Sequence, residues 1–444
     1  MSLLNLLFPA AKKSKHPDVS FGRYTDAYKS KAQTDAFNRS LELFEAGERM
    51  DAYRSFLSYL KDEKVDNITC REEENEGVTT LHFDFWQGSR RVTGTATAEK
   101  VKAQSRVALA DDLNVGFLRR LMEANFSLKF SRFALTPDNA LSIHFDTHGV
   151  DGSPLKLLYA FRELAIHADK QDDLLLDEFK SLRPAEARTY GDIPDAEKEV
   201  KHAYIRREVE EVFAEMDKAK PDPNQYPGTY AYLLLALAFK FDYLIRPEGF
   251  MMDVMERIHG IYFAKNDRTP QIKVVNIRKE YQKLLDRSKE DFFKEMYRTR
   301  STFGVNPAVG HQNIAALIEG ELPNMEWPLQ QNYMPLALAV PQYIAGFALF
   351  HYAPPQPDRD LLHLFFQITE PRFFRELGFD IPYTDEEGRL HKAEILQEIK
   401  NIRERHRAVY TRFKPDTTQL DFGSDALFAK SFLLMIRGLD VGKE

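Results

Sequence analysis

The stretch from Asn125 to Phe179 limits the folds open to this chain more than any other. Two runs rich in aromatic and aliphatic residues, 125–135 and 140–148, flank the turn sequence Thr136-Pro137-Asp138-Asn139 and so predict a hairpin. Phe126, Leu128 and Phe130 share one face of the first run, while Phe133 and Leu135 fall out of phase. A one-residue slip turns side chains to the other face, so the pattern predicts a β-bulge near Ser131-Arg132. In the second run Leu141, Ile143 and Phe145 point inward. A loop with Gly149, Gly152 and Pro154 leads into a long helix. Leu157, Phe161, Leu164, Ala168, Leu175 and Phe179 form its apolar stripe, and it ends in the acidic, leucine-rich run 172–179.

Upstream, residues 1–33 are polar and aperiodic and read as an N-terminal arm. Helical spacing starts at Thr34, with Asp35 behind it as the cap. Phe37, Leu41 and Phe44 form one face and Met50, Tyr53, Leu57 and Leu60 the next, with Gly47 between them. This is either one helix with a weak point or two in a hairpin. Strand signals cover 66–72, 78–87 and 91–98, and Leu113, Phe117, Leu121 and Ala124 mark a helix over 111–124. The order over 34–182 is helix, three strands, helix, two strands, helix, an α+β arrangement.

That order, with Glu123-Ala124-Asn125-Phe126 leading into an aromatic strand, a turn and an aliphatic strand, resembles the bacterial type III secretion chaperone fold and the related YbjN family. The resemblance covers about a third of the chain and rests on topology and apolar pattern, with no invariant chemical motif. It implies binding of protein or peptide segments along sheet and helix surfaces, with a homodimer among the expected partners, and no catalytic residues. The chain departs from the family in being much longer.

Residues 183–196, with Pro184, Gly191 and Pro194, read as a linker. From 197 to 444 the pattern predicts an all-α domain. Its helices are expected over 196–218, 229–245, 250–263, 271–302, 313–322, 333–352, 359–377, 390–413 and 425–439, separated by prolines and by Gly304. The apolar helix 229–245 should lie at the centre of this half.

The length of 444 residues suits two or three domains. A net charge of −7 disfavours nucleic acid, since a phosphate backbone gains no general attraction. The single cysteine, Cys70, excludes an intrachain disulfide and a multi-thiolate zinc site, and its strand-like context predicts a small buried residue. The N-terminal run Ser2 to Phe8 has its charges after the apolar part, the reverse of a secretory signal. Residues 230–239 are too short to span a bilayer and 336–350 are interrupted by Pro341, so the expectation is a cytoplasmic protein without a membrane partner.

No phosphate-cradling glycine loop, nucleophile elbow or His-Glu-x-x-His occurs. His144, Asp146 and His148 alternate along a strand and so share a face that offers two imidazoles and a carboxylate to a metal. His82 and Asp84 repeat the pattern and would join them if the strands were neighbours, although a wet sheet face produces the same alternation. Asp358 reads as a helix cap, and His363, on an apolar helix face, as a hydrogen-bonded core histidine. Trp327, Tyr333 and Tyr343 either line a peptide groove or build the helical core, and their spacing favours the core. The sequence therefore predicts a non-catalytic protein-binding module without a cofactor, a chaperone, adaptor or scaffold. Phe126, Leu128, Phe130, Trp327, Tyr333 and Tyr343 are its candidate contact residues. The alternative is a metal-dependent hydrolase using His144, Asp146 and His148.

Overall fold

The computed structural model describes residues 17–62, 64–110, 115–179, 181–185 and 191–442. The basic run at Lys12, Lys13 and Lys15, the apolar run Ser2 to Phe8, Leu113 and the middle of the expected linker lie outside them. An antiparallel sheet of eight strands with helices on one side forms the N-terminal half, and a mostly helical region follows.

The first helical segment is a hairpin, α1 (Lys31–Glu45) and α2 (Arg49–Leu60), turned at Gly47 with φ +84°. Its cap lies earlier than Thr34: Ser30 and Gln33 form a reciprocal capping box. Four strands follow where three were expected: β1 (Ile68–Asn75), β2 (Val78–Gly88), β3 (Arg90–Ala96) and β4 (Lys100–Ala110). Then come α3 (Val115–Ser127), β5 (Arg132–Leu135), β6 (Ala140–His148) and the long α4 (Pro154–Glu178). The strands lie in the order β1-β2-β3-β4-β6-β5.

β5 and β6 form the expected hairpin, with Asn139 at φ 58° in its turn. The first run is otherwise not a strand, because α3 continues through Ser127. The chain from Lys129 to Ser131 then wraps the Glu163 carboxylate, which accepts the backbone N–H groups of Lys129, Phe130 and Ser131 at 2.8, 2.9 and 2.8 Å. The expected bulge is in β4 instead, where Val107 is the extra residue between Arg106, opposite Ser142, and Ala108, opposite Leu141.

One face of the sheet packs on α4. Phe161 sits at the centre, its ring 5.3, 5.6 and 5.9 Å from those of Phe83, Phe85 and Phe145. Burying side chains of this kind contributes about 2 kcal/mol each.

The helical region contains α5 (Asp195–Asp217), α6 (Pro227–Ile245), α7 (Gly249–Phe263), α8 (Pro270–Asp286) and α9 (Lys289–Lys294). It continues with α10 (His311–Glu321), α11 (Glu326–Gln330), α12 (Met334–His351), α13 (Gln356–Thr369), α14 (Pro371–Glu376), α15 (Lys392–His406) and α16 (Asp425–Arg437). Two expected helices are broken. Ser288 caps a new helix after α8, and Pro371 interrupts the run from α13 to α14. The central pair is α6 and α12, both long and apolar enough to cross a membrane by length and composition, and both largely buried in this core. A Cβ on Gly346 would lie 2.8 Å from the Phe239 Cβ, so only glycine lets the two helices approach this closely.

Several connections join the halves, among them the pairing of Lys170 on α4 with Glu256 on α7. Leu182–Pro184, at the start of the expected linker, is a strand, β7, paired with β4. β8 (Arg300–Ser301), from inside the helical region, pairs with Gln87 and Gly88 of β2. Just beyond it Phe303 enters the sheet core against Phe85. Residues 17–29 run back over the helices: Gly22 N–H donates to the Tyr243 carbonyl, Arg23 pairs with Asp242 at 2.6 Å, and Asp26 pairs with Arg162 of α4.

Candidate functional site

No described helix covers the face of the sheet turned away from α4. His82 and Asp84 on β2, Thr93 and Thr95 on β3, Lys102 and Gln104 on β4, and His144 and Asp146 on β6 project from it in alternation with the buried set. These side chains line a shallow groove of about 710 Å³. Its basic residues, Arg71, Arg91, Lys100, Lys102 and Arg132, outnumber its acids, Asp84 and Asp146. Asp84 is paired with Arg91 at 2.8 Å. Asp146 takes Arg132 at 2.6 Å and Lys100 at 3.0 Å, and hydrogen bonds from these two hold its carboxyl down at about 2.

His144, Asp146 and His148 therefore share a face, on which cations already hold the Asp146 carboxylate. Both oxygens of Asp146 are occupied by cations, and the His144 pKa is lowered by burial and by Arg132. His82 and Asp84 do not join them, because β3 and β4 lie between and place the two pairs about 14 Å apart. Among the described residues no group of three or more His, Cys, Asp or Glu converges as a metal site requires. Cys70 is exposed near the sheet edge, contrary to expectation, and burial of its thiol group followed by Glu72 pushes its pKa up, away from a reactive thiolate.

A second uncovered surface lies on α3. Phe117, Leu121 and Ala124 turn toward the sheet core, with the Phe117 ring 5.1 Å from that of Phe179. Val115, Leu118, Met122 and Phe126 form a separate stripe on the opposite side, at 83, 44, 74 and 94% exposure. Sequence reasoning found the first stripe and missed the second, although the spacing of three, four and four residues was its signal. Of the predicted contact residues, Phe126 belongs to this stripe, Leu128 packs partly into the core, and Phe130 is exposed beside Glu163. They do not share a strand face, because helix and loop replace the strand.

Trp327, Tyr333 and Tyr343 lie in the helical region, apart from that surface. Trp327 stacks on Tyr226 at 4.3 Å and lies 5.8 Å from Tyr333, while Tyr343 is buried against Tyr232 and Phe239. His363 is a core histidine as expected, hydrogen bonded through Nδ1 to the Tyr243 hydroxyl at 2.9 Å. Asp358 is not the cap that the sequence suggests: Pro355 precedes α13 without a side-chain cap bond, and Asp358, buried in the first turn, binds His311 Nδ1 at 2.7 Å.

Two further clusters hold charge. A cavity of about 550 Å³ lies where the halves meet, and its lining alternates Arg23, Arg246 and Lys170 with Asp242, Glu248 and Glu256. Deeper in the helices, Lys240 donates to Glu208 at 2.6 Å and to Glu370 at 2.7 Å, and the Tyr204 hydroxyl donates to Glu370 at 3.0 Å. Burial raises the Glu370 pKa against the pull of Lys240. This network ties α5 and α6 to the α13–α14 break, and Glu208, Lys240 and Glu370 also line an adjoining cleft of about 590 Å³.

No protein-family model, curated protein or solved structure matches the chain.

Proposed function

We propose that the chain is a non-catalytic, cytoplasmic protein-binding module, a chaperone, adaptor or scaffold. Its N-terminal half is a lengthened variant of the type III secretion chaperone arrangement, with one added helix and one added strand before α3. The observation that carries the reading is the second apolar stripe of α3. Four large side chains exposed in one row cost solvation free energy, and a partner that covers them regains it. The sheet face that no described helix covers, on the far side from α3, supports the same reading.

The test is Met122→Asp combined with Phe126→Asp. Neither side chain supports the core, so circular dichroism and the melting temperature should stay unchanged. A partner cross-linked to the native chain in stoichiometric amount should be lost. Sedimentation of both proteins identifies whether that partner is a second copy of the chain. No partner on the native chain, or undiminished binding by the double variant, would defeat the proposal.

A further inference from the structure

We propose that the outer face of the N-terminal sheet is a docking groove for an extended acidic segment of a partner protein. Carboxylates about four residues apart in that segment would engage Arg71 and Lys102. The inference rests on the protein-binding reading above and supplies the chemistry of what is bound.

The argument starts from which charges are already used. On this face Asp84 is neutralised by Arg91, and Asp146 by Arg132 and Lys100. His82 faces Glu73 at 3.2 Å. Lys102 stands opposite Asp146 in the register, but both oxygens of that carboxylate are taken. Arg71 and Lys102 are left without an ion pair or hydrogen bond among the described residues, on a surface whose net charge is positive in a chain that carries −7.

Their spacing is set by the sheet. The register aligns Arg71 with His82, His82 with Thr95, and Thr95 with Lys102, so the two cations stand on one row three strand steps apart. At about 4.8 Å per step the row spans about 14 Å. An extended peptide laid along it advances about 3.3 Å per residue, so positions i and i+4 lie about 13 Å apart and face the same way. The Thr95 hydroxyl lies on the row between the cations, with Thr93 beside it, and both can meet the peptide's backbone groups.

Single-stranded nucleic acid suits the face less well. Bases stack best on large Phe, Tyr or Trp rings, and the side chains projecting from the central strands here are instead Thr93, Thr95, Lys102 and Gln104, flanked by the smaller rings of His82 and His144.

The experiment uses the full chain and a fluorescein-labelled serine- and glycine-rich peptide with two glutamates at i and i+4, read by fluorescence anisotropy. A control peptide has one glutamate moved by a single position, to the opposite face of the strand. The i,i+4 peptide should bind more tightly than the control and weaken as salt is raised. Arg71→Gln and Lys102→Gln should each weaken it by about threefold to fivefold, while Arg403→Gln, an exposed change on α15, should leave it unaltered. Equal binding of the two peptides, or indifference to both substitutions, overturns the proposal. So does a labelled oligothymidylate that binds more tightly than the peptide and depends on the same two residues. If the peptides fail while Met122→Asp with Phe126→Asp still releases a cross-linked partner, this inference falls and the protein-binding reading stands.

Discussion

His363 shows how far a single residue's environment can be read from its neighbours in sequence. Its place on the apolar face of α13 points to burial, and burial is what it meets, with Tyr243, Phe21 and Phe374 around the ring. Burial, then the nearby Arg359, lowers its pKa to about 4 from an ordinary 6.5. Between those values the unfolded chain binds a proton that the folded chain refuses. This contribution is therefore intact above pH 6.5 and is lost as pH falls toward 4, on the order of 3 kcal/mol in all. Denaturant titrations across that window should show stability falling with acid, and His363→Gln should flatten the fall. An unchanged slope in the variant would place the titration elsewhere. The buried pair of Asp358 with His311 was not legible in the same way, because the partners are 47 residues apart and each alone has an ordinary local explanation.

At the scale of elements, periodicity located most helices but failed where a distant side chain sets a boundary. The run after Ala124 has the aromatic content of a strand, yet a carboxylate from α4, more than thirty residues on, gathers three backbone N–H groups and keeps the loop out of the sheet. Asn125 completes the start of β5, its side chain accepting the Phe133 N–H at 2.6 Å. Glu163→Gln retains the shape and removes the charge that strengthens these bonds, at a cost of about 2 kcal/mol. The urea midpoint should drop accordingly, and amide exchange should quicken first at Lys129 to Ser131. Uniform loosening of the whole sheet instead would mean that the carboxylate does not position this loop. β4 escaped notice for another reason. Its inward residues, Val101, Ala103, Ser105 and Val107, are small or polar enough to blur the alternation with Lys100, Lys102, Gln104 and Arg106. The strand that carries Lys102 of the docking groove was thus the least visible one, and the candidate site could not be assembled from sequence.

At the scale of the molecule, the α+β and helical halves are legible from the switch of apolar period, but their interlocking is not. β8 is two residues long, too short for any periodic signal, and it lies inside what reads as one continuous helix. Its consequences are large. The Gln87 side chain accepts the Thr302 and Phe303 N–H groups at 3.2 and 3.0 Å and donates to the Phe303 carbonyl at 3.2 Å. The Phe303 ring fills the sheet core edge-on to Phe85 at 5.6 Å. Residues 17–29 cross in the other direction, carrying Arg23 to Asp242 and Asp26 to Arg162. Each half thus completes the other's core or charge pairing, so calorimetry of the native chain should record one unfolding transition rather than two. Phe303→Ala empties a fully enclosed site and removes about 3–5 kcal/mol, nearly all of it from the contact between the halves. The sheet half should then melt first, and the single peak should divide in two. Two resolved transitions in the native chain would mean that β8 and the arm lie against the sheet without sharing its stability. A single peak in the variant, merely shifted down, would mean that the remaining crossings hold the halves together without Phe303.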